Sequence, residues 1–312
     1  MANDDAPATR RARREAERAQ QRGAQRSPAV AGAGPKQSRG GRNLPAAIGV
    51  AAALIALVGA GLFLPFGTPA QPWGFLALIA IAVTGALWEF SGAVRSQDIQ
   101  IAIAPLLVGG IGIIISAYTA GVEALFVAFV LTAGAAFIWR LLDGAGPLAL
   151  RDASVSILAA AYIPFLAGFA ALMLALDDGP WRVAVFIALA VANDTGGYVA
   201  GVLFGKHPMA PTVSPKKSWE GFAGSVVFTM AVAVPAAYYV LDAAVVVGVI
   251  LAILATLAAT IGDLIESLIK RDLGVKDMSS VLPGHGGILD RIDSILVAAP
   301  VIFTAMWLTV GH

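Results

Sequence analysis

AVVVGVILAILATLAATIGDLIESL, residues 244–268, sets the terms for the whole chain. From Ala244 to Gly262 it carries no charge and only two hydroxyl side chains, Thr256 and Thr260. As a helix it spans the ~30 Å hydrocarbon core of a bilayer, which takes about 20 apolar residues. Its last turns break the pattern. Asp263, Glu266, Ser267 and Lys270 recur at spacings of three and four, so on a helix they share one face. An aspartate at the end of an apolar helix is costly unless it is paired, protonated or bound to a metal.

The rest of the chain repeats the apolar theme. Of 312 residues, 58% are hydrophobic and 13% charged, far from the globular balance of nearly half and about a quarter. Apolar runs near 44–64, 73–94, 99–119, 121–142, 153–176, 181–204, 222–241, 244–268 and 292–310 predict an all-α, polytopic membrane helix bundle of about nine spans. There is no cysteine, which excludes disulfides and thiolate metal sites.

Residues 1–43 hold ten Lys/Arg against four acids and almost no large apolar side chain. Such a segment cannot build a core, and it reads as a disordered basic arm preceding a catalytic domain at 44–312. A solubilising and orienting tail is preferred to one that touches anionic lipid or ribosomal RNA, and no specific nucleic-acid partner follows. With the N-terminus in the cytoplasm, 20 of the 21 basic residues fall inside and only Arg182 outside. The positive-inside rule therefore predicts that orientation in a cell membrane, with the polar loops facing the cytoplasm.

Three polar blocks carry the chemistry. After the 244–268 span comes the loop DLGVKDMSSVLPGHGG, and DRID then opens the last span with Asp290 and Asp293 one turn apart. Two helices thus bring Asp263, Asp290 and Asp293 to one end of the bundle. Three carboxylates suit Mg²⁺, which prefers oxygen ligands and shares its shell with substrate phosphates. Lys270, Arg271 and Lys276, together with the N–H groups around Gly286 and Gly287, supply a complementary positive field. His285 would contact phosphate or simply hold the turn; Asp277 lies in the same loop. The second block, VANDTGGYVAG, places Asn193 and Asp194 within a span, where they need a water-filled cavity or a helix partner. The third, SPKKSWEG, offers Ser214, Lys216, Lys217 and Ser218 as a phosphate clamp, or merely as inner-side charge. Asp263 and Asp293 could instead pair with Lys270 and Arg291 and only orient helices. Glu89 reads as an interfacial acid that snorkels, in preference to a cavity residue.

The run from Ser267 to Asp293, with NDTGGYVAG and SPKKSWEG before it in the same order, closely resembles the signature of the phosphatidate cytidylyltransferases, or CDP-diacylglycerol synthases. The resemblance spans about residues 75–312. It implies that CTP and phosphatidic acid give CDP-diacylglycerol and pyrophosphate in phospholipid biosynthesis, with Mg²⁺ required; the sequence leaves open whether a second, monovalent cation accompanies it. It assigns metal binding to Asp263 and Asp290, with Asp293 as a further ligand or just behind, and phosphate binding to Lys216, Lys217, Lys270, Arg271 and Lys276. It also implies a homodimer. Gly197 stands where the family commonly has alanine or serine, and DMSSVLP fills a position where glycine is frequent.

Rival readings make distinct predictions. A CTP-dependent lipid or polyprenol kinase shares much of this logic but would release CDP. A CDP-alcohol phosphotransferase would need a DG…AR…G…D…D helix that is absent. An ion-coupled transporter using Asp194, Asp263 and Asp293 would need polar groups staged across the membrane, whereas the polarity here is one-sided.

Overall fold

A computed structural model of the chain describes residues 44–64, 72–144, 146–279 and 286–311; the basic arm at 1–43 and His285 lie outside the described residues. Helices dominate: α1 (Leu44–Phe63), α2 (Trp73–Arg95), α3 (Ile103–Asp143), α4 (Pro147–Ala160), a π-helical turn (Ala161–Phe165) leading into α5 (Leu166–Leu174), α6 (Gly179–Phe204), α7 (Trp219–Tyr239), α8 (Val245–Asp272) and α9 (Leu289–Thr309). Among the described residues seven helices, counting α4 to α5 as one, are long and apolar enough to cross a membrane, and Ala52–Phe63 of α1 is a shorter apolar stretch.

The expected count of about nine holds two spans more than this; one is the segment of α1, and the other comes from α3. Its 41 residues would make a straight rod of about 62 Å, twice the thickness of a bilayer core. Instead the backbone leaves the helix at Gly121 (φ 81°, ψ −165°), a region that only glycine enters freely. A side chain added at Gly109 would fall onto Thr132, so the two halves fold back on each other as an antiparallel hairpin. The expected third and fourth spans are these halves.

A core of small and branched residues runs through the bundle, including Leu87, Leu106, Ile113, Leu125, Ile163, Phe186, Leu189, Leu251 and Ile302, all essentially buried. Around it the outer faces stay apolar: Val108, Leu131, Leu142, Val202, Leu203, Val227 and Leu308 are each more than 60% exposed. A soluble protein does not present such a surface, and lipid hydrocarbon covers it without cost. The chain is a multi-pass membrane protein.

Polar contacts collect the basic residues of separate segments at one end. Arg151 donates to the Asp98 carbonyl, Arg140 pairs with Asp152 at 3.1 Å, Gln97 donates to the Leu273 carbonyl at 3.0 Å and Arg271 to the Val213 carbonyl at 2.5 Å. Arg182, the exception in the charge split, pairs instead with Asp178 at 2.5 Å and donates to the Gly311 carbonyl at 2.8 Å. The one-sidedness seen along the sequence is therefore also a property of the folded bundle.

Candidate active site

Two close helix crossings and a short hairpin build a cavity of about 480 Å³ at the basic end, within the range of small-molecule sites. The first crossing joins α6 and α7. Atoms of Gly196 and Gly224 fill each other's missing Cβ positions, with a Cβ on Gly196 reaching the Gly224 carbonyl at 2.6 Å and the Ser225 hydroxyl standing 2.6 Å from one on Gly197. The glycines of the NDTGGYVAG block thus serve close packing, and α6 runs unbroken through them. The second crossing joins α8 and α9 at Gly262, where a Cβ would lie 2.8 Å from the Asp293 carbonyl and 2.9 Å from Ser294 Cα. That contact sets Asp263 opposite Asp293. Gly262→Ala is expected to push the two backbones apart and cost about 1–3 kcal/mol, measurable as a lowered thermal midpoint in detergent together with reduced turnover.

The segment expected as a basic loop is an antiparallel hairpin, β1 (Pro208–Ala210) with β2 (Ser214–Ser218). Strands of three and five residues are too short to show alternation in a proline-rich sequence, which is why they read as loop. Ser218 closes the hairpin and caps α7, accepting from Gly221 N–H at 3.1 Å. Glu220 accepts from the Lys206 and His207 N–H groups at 3.1 and 3.2 Å and meets His207 Nδ1 at 2.6 Å. The hairpin is thereby fixed to the helix and carries Lys216, Lys217 and Ser218 to the cavity wall.

Nine of the residues singled out from sequence line this one cavity: Asn193 and Asp194 from α6, Lys216 and Lys217 from β2, Asp263, Ser267 and Lys270 from α8, and Asp290 and Asp293 from α9. Lys217 Nζ lies 2.5 Å from Asp263 Oδ2. Lys270 pairs with Glu266 and, at 3.2 Å, with Asp290 Oδ1. Of the ion pairs considered from sequence, that of Lys270 with Asp263 is replaced by these. Asp290 also accepts from Met278 N–H at 3.1 Å and Gly287 N–H at 2.8 Å. Asn193 donates to Asp194 at 3.1 Å, and its buried Oδ1 has no partner.

The other expected residues stand apart from the wall. Ser214 begins β2 opposite Ala210; Arg271 reaches back to Val213; Lys276 and Asp277 are exposed beyond the end of α8. Gly286 (φ 80°) and Gly287 lie beside Asp290 and Glu89, and the Gly287 N–H is taken by Asp290 rather than left open to an anion.

Two acids need restating. Glu266, noted in the sequence only as sharing a helix face, is 2% exposed and lines the cavity, and its Oε1 has no hydrogen-bond partner. Glu89, read from sequence as a snorkelling interfacial acid, is 4% exposed. It accepts from the Ser279 hydroxyl at 2.6 Å and from the Ile288 and Leu289 N–H groups at 2.8 and 2.9 Å. Further lining comes from Tyr198, Met209, Phe222, Ser225 and Thr260, which have no sequence signal beyond their neighbours.

Residues 47–309 match the model of the family described as the cytidylyltransferase family. The chain is 39% identical over 285 residues to the phosphatidate cytidylyltransferase of Mycobacterium leprae, covering 86% of this chain and 89% of that protein. It is 36% identical over 301 residues to that of Mycobacterium bovis, covering 91% and 94%. A shorter match, 42% over 149 residues, links it to the phosphatidate cytidylyltransferase of Haemophilus influenzae, covering 44% and 51%.

Proposed function

The chain belongs to the cytidylyltransferase family, and from that premise we propose that it transfers the cytidylyl group of CTP to phosphatidate, giving CDP-diacylglycerol and pyrophosphate. The observation that carries this reading is the agreement of two facts. Relatives with this activity in their names align along about nine-tenths of both chains, and the cavity at one end of the bundle holds interleaved lysines and carboxylates.

The chemistry asks little of the protein in the way of proton transfer. Phosphatidate carries a nucleophilic phosphate oxygen at neutral pH. That oxygen attacks the α-phosphorus of CTP, the new P–O bond forms, and the bond from the α-phosphorus to the bridging oxygen breaks as pyrophosphate leaves with it. The barrier lies in bringing two polyanions into line, so positioning and charge neutralisation dominate. Lys216 and Lys217 from the hairpin and Lys270 from α8 stand where they would hold triphosphate and lipid phosphate. Tyr198, Met209 and Phe222 give the same cavity an apolar side suited to the glycerol and first acyl carbons.

The lining also fits a divalent cation. Four cationic side chains (Lys216, Lys217, Lys270, Arg291) face five carboxylates (Asp194, Asp263, Glu266, Asp290, Asp293). A wall with more acids than bases does not by itself attract a triphosphate, and a buried Glu266 oxygen without a partner calls for a cation or a proton. Among the described residues no three acidic or histidine side chains form a cage of their own. Mg²⁺ is ordinarily held by one or two carboxylates and completed by substrate phosphates, and needs no such cage. Asp263 and Asp290 are the residues proposed to hold it, with Asp293 behind them. When bound, the ion supplies charge neutralisation at the phosphate oxygens.

The finer reading continues from the charge split. With the basic end in the cytoplasm, CTP reaches the cavity from solution and phosphatidate from the inner leaflet of the cell membrane; a homodimer completes the proposal. The test is a membrane assay with CTP labelled in the α-phosphate and phosphatidate as acceptor. Label is expected in a CDP-lipid with an equal yield of pyrophosphate, and EDTA should abolish both until Mg²⁺ is restored. Release of labelled CDP with transfer of unlabelled phosphate to a lipid alcohol would replace this reading with a kinase.

A further inference from the structure

Helix α9 begins with Leu289, Asp290 and the turn before them, and the first N–H groups of any helix have no partner within it. At this end they are claimed by two carboxylates. Asp290, one residue inside the helix, takes the Gly287 N–H at 2.8 Å. Glu89 takes the Ile288 and Leu289 N–H groups at 2.8 and 2.9 Å and the Ser279 hydroxyl at 2.6 Å. Glu89 comes from the last third of α2, about two hundred residues earlier in the chain, and is 4% exposed. Its helix meets the same turn one helical turn away: a Cβ on Gly85 would lie 2.5 Å from Ile288 Cδ1. A Cβ on Gly287 would lie 2.6 Å from Glu89 Oε2 and 3.1 Å from the Ser279 hydroxyl. The absence of a side chain at 287 is therefore what lets the carboxylate reach the helix end.

We propose that Glu89 is a positioning residue of the transfer reaction, an internal anion that occupies the N-terminus of α9 and fixes Asp290 in the cavity; this rests on the function proposed above. A helix N-terminus attracts anions through its free N–H groups and dipole. Here that place is filled by the protein's own carboxylate, which ties the turn at 287–289 to Ser279 on the other side of the loop. The same loop gives Asp290 its Met278 N–H at 3.1 Å. With both ends of the loop held, the Asp290 carboxylate keeps its direction toward Lys270 at 3.2 Å. Glu89 does not line the cavity, so its effect passes through Asp290 and not through substrate.

The test compares full-length Glu89→Gln, Glu89→Asp and Ser279→Ala with Asp152→Asn, a control that alters another buried carboxylate (5% exposed) paired to Arg140 away from the cavity. Glu89→Gln keeps the shape but turns an amide N–H₂ toward an N–H donor. Its kcat is expected to fall about 10- to 100-fold while the KM for CTP moves less than about threefold, the signature of lost alignment and not of lost binding. Ser279→Ala, which removes one of the three bonds that Glu89 accepts from the described residues, should lose less than about tenfold. Hydrogen exchange supplies a readout that needs no activity: the Ile288 and Leu289 amides should exchange faster in Glu89→Gln and unchanged in Asp152→Asn. Unchanged exchange at both amides overturns the proposal, as does a wild-type kcat in Glu89→Gln. So does a loss of kcat that Asp152→Asn reproduces at equal loss of thermal stability. If the wild-type protein makes a product other than CDP-diacylglycerol, the function assigned above fails, and the exchange and the kcat of that other reaction still decide the role of Glu89.

Discussion

Asp263→Asn and Asp290→Asn are each expected to lower turnover by about 10³-fold or more, and to differ in what else they disturb. Asp263 is 28% exposed at its side chain and meets Lys217, itself 26% exposed. A pair this open to water contributes about 1 kcal/mol or less, so Asp263→Asn should express and melt like the parent. Asp290 is 6% exposed at its side chain and holds the Met278 and Gly287 N–H groups and Lys270. An asparagine presents its N–H₂ to donors that have nowhere else to turn, a loss of about 1–3 kcal/mol. Turnover with labelled CTP, read beside thermal unfolding in detergent, separates the two. Wild-type turnover in both variants would remove Asp263 and Asp290 from the chemistry. Equal melting losses would mean that the two acids occupy equivalent surroundings, against the geometry described.

Lys270→Met should be the most damaging single change to stability at the cavity. The lysine stands between Glu266, 3% exposed at its side chain, and Asp290. Removing the cation leaves two buried carboxylates facing each other, and breaking a buried pair from one side costs about 3–5 kcal/mol. Activity is expected to vanish with it, because the same ammonium is proposed to neutralise phosphate. The two consequences can be pulled apart. Lys270→Met combined with Glu266→Gln removes one of the stranded charges and should recover a substantial part of the stability while turnover stays lost. A single variant as stable as the parent would show that the acids are solvated or already neutral, and that the lysine does not hold the site together.

Glu266 also shows where reading residues one helix at a time stops short. The spacing of Asp263, Glu266, Ser267 and Lys270 placed them on one face, and all four do line the cavity. Spacing does not say what that face looks at. Glu266 is at the floor, against Lys270 on its own helix, whereas Asp263 turns to Lys217, 46 residues earlier on the hairpin. Glu89 is the sharper case. An acid near the end of an apolar span ordinarily reaches for the interface, and nothing local distinguishes this one. Its three partners among the described residues lie 190 to 200 residues further along the chain, beyond the reach of any periodicity. The Gly121 reversal was legible as a gap between two apolar runs, because a bilayer limits how long a straight helix can be. The β1–β2 hairpin was not, since strands of three and five residues show no alternation of their own and it is Glu220 of the following helix that fixes the turn into it.

The amino-acid sequence by itself determined the solvent, the approximate spans and the gathering of basic charge at one end, because each depends on hydrophobicity and charge summed along single segments. It also determined which side chains share a helix face, since the helical repeat is a local property of the backbone. Only the tertiary structure decided which lysine meets which carboxylate, and that Glu89 and not substrate occupies the start of α9. Those choices depend on how closely helices cross at Gly196, Gly224 and Gly262. A crossing distance is the outcome of two surfaces packing together, and neither surface carries it alone.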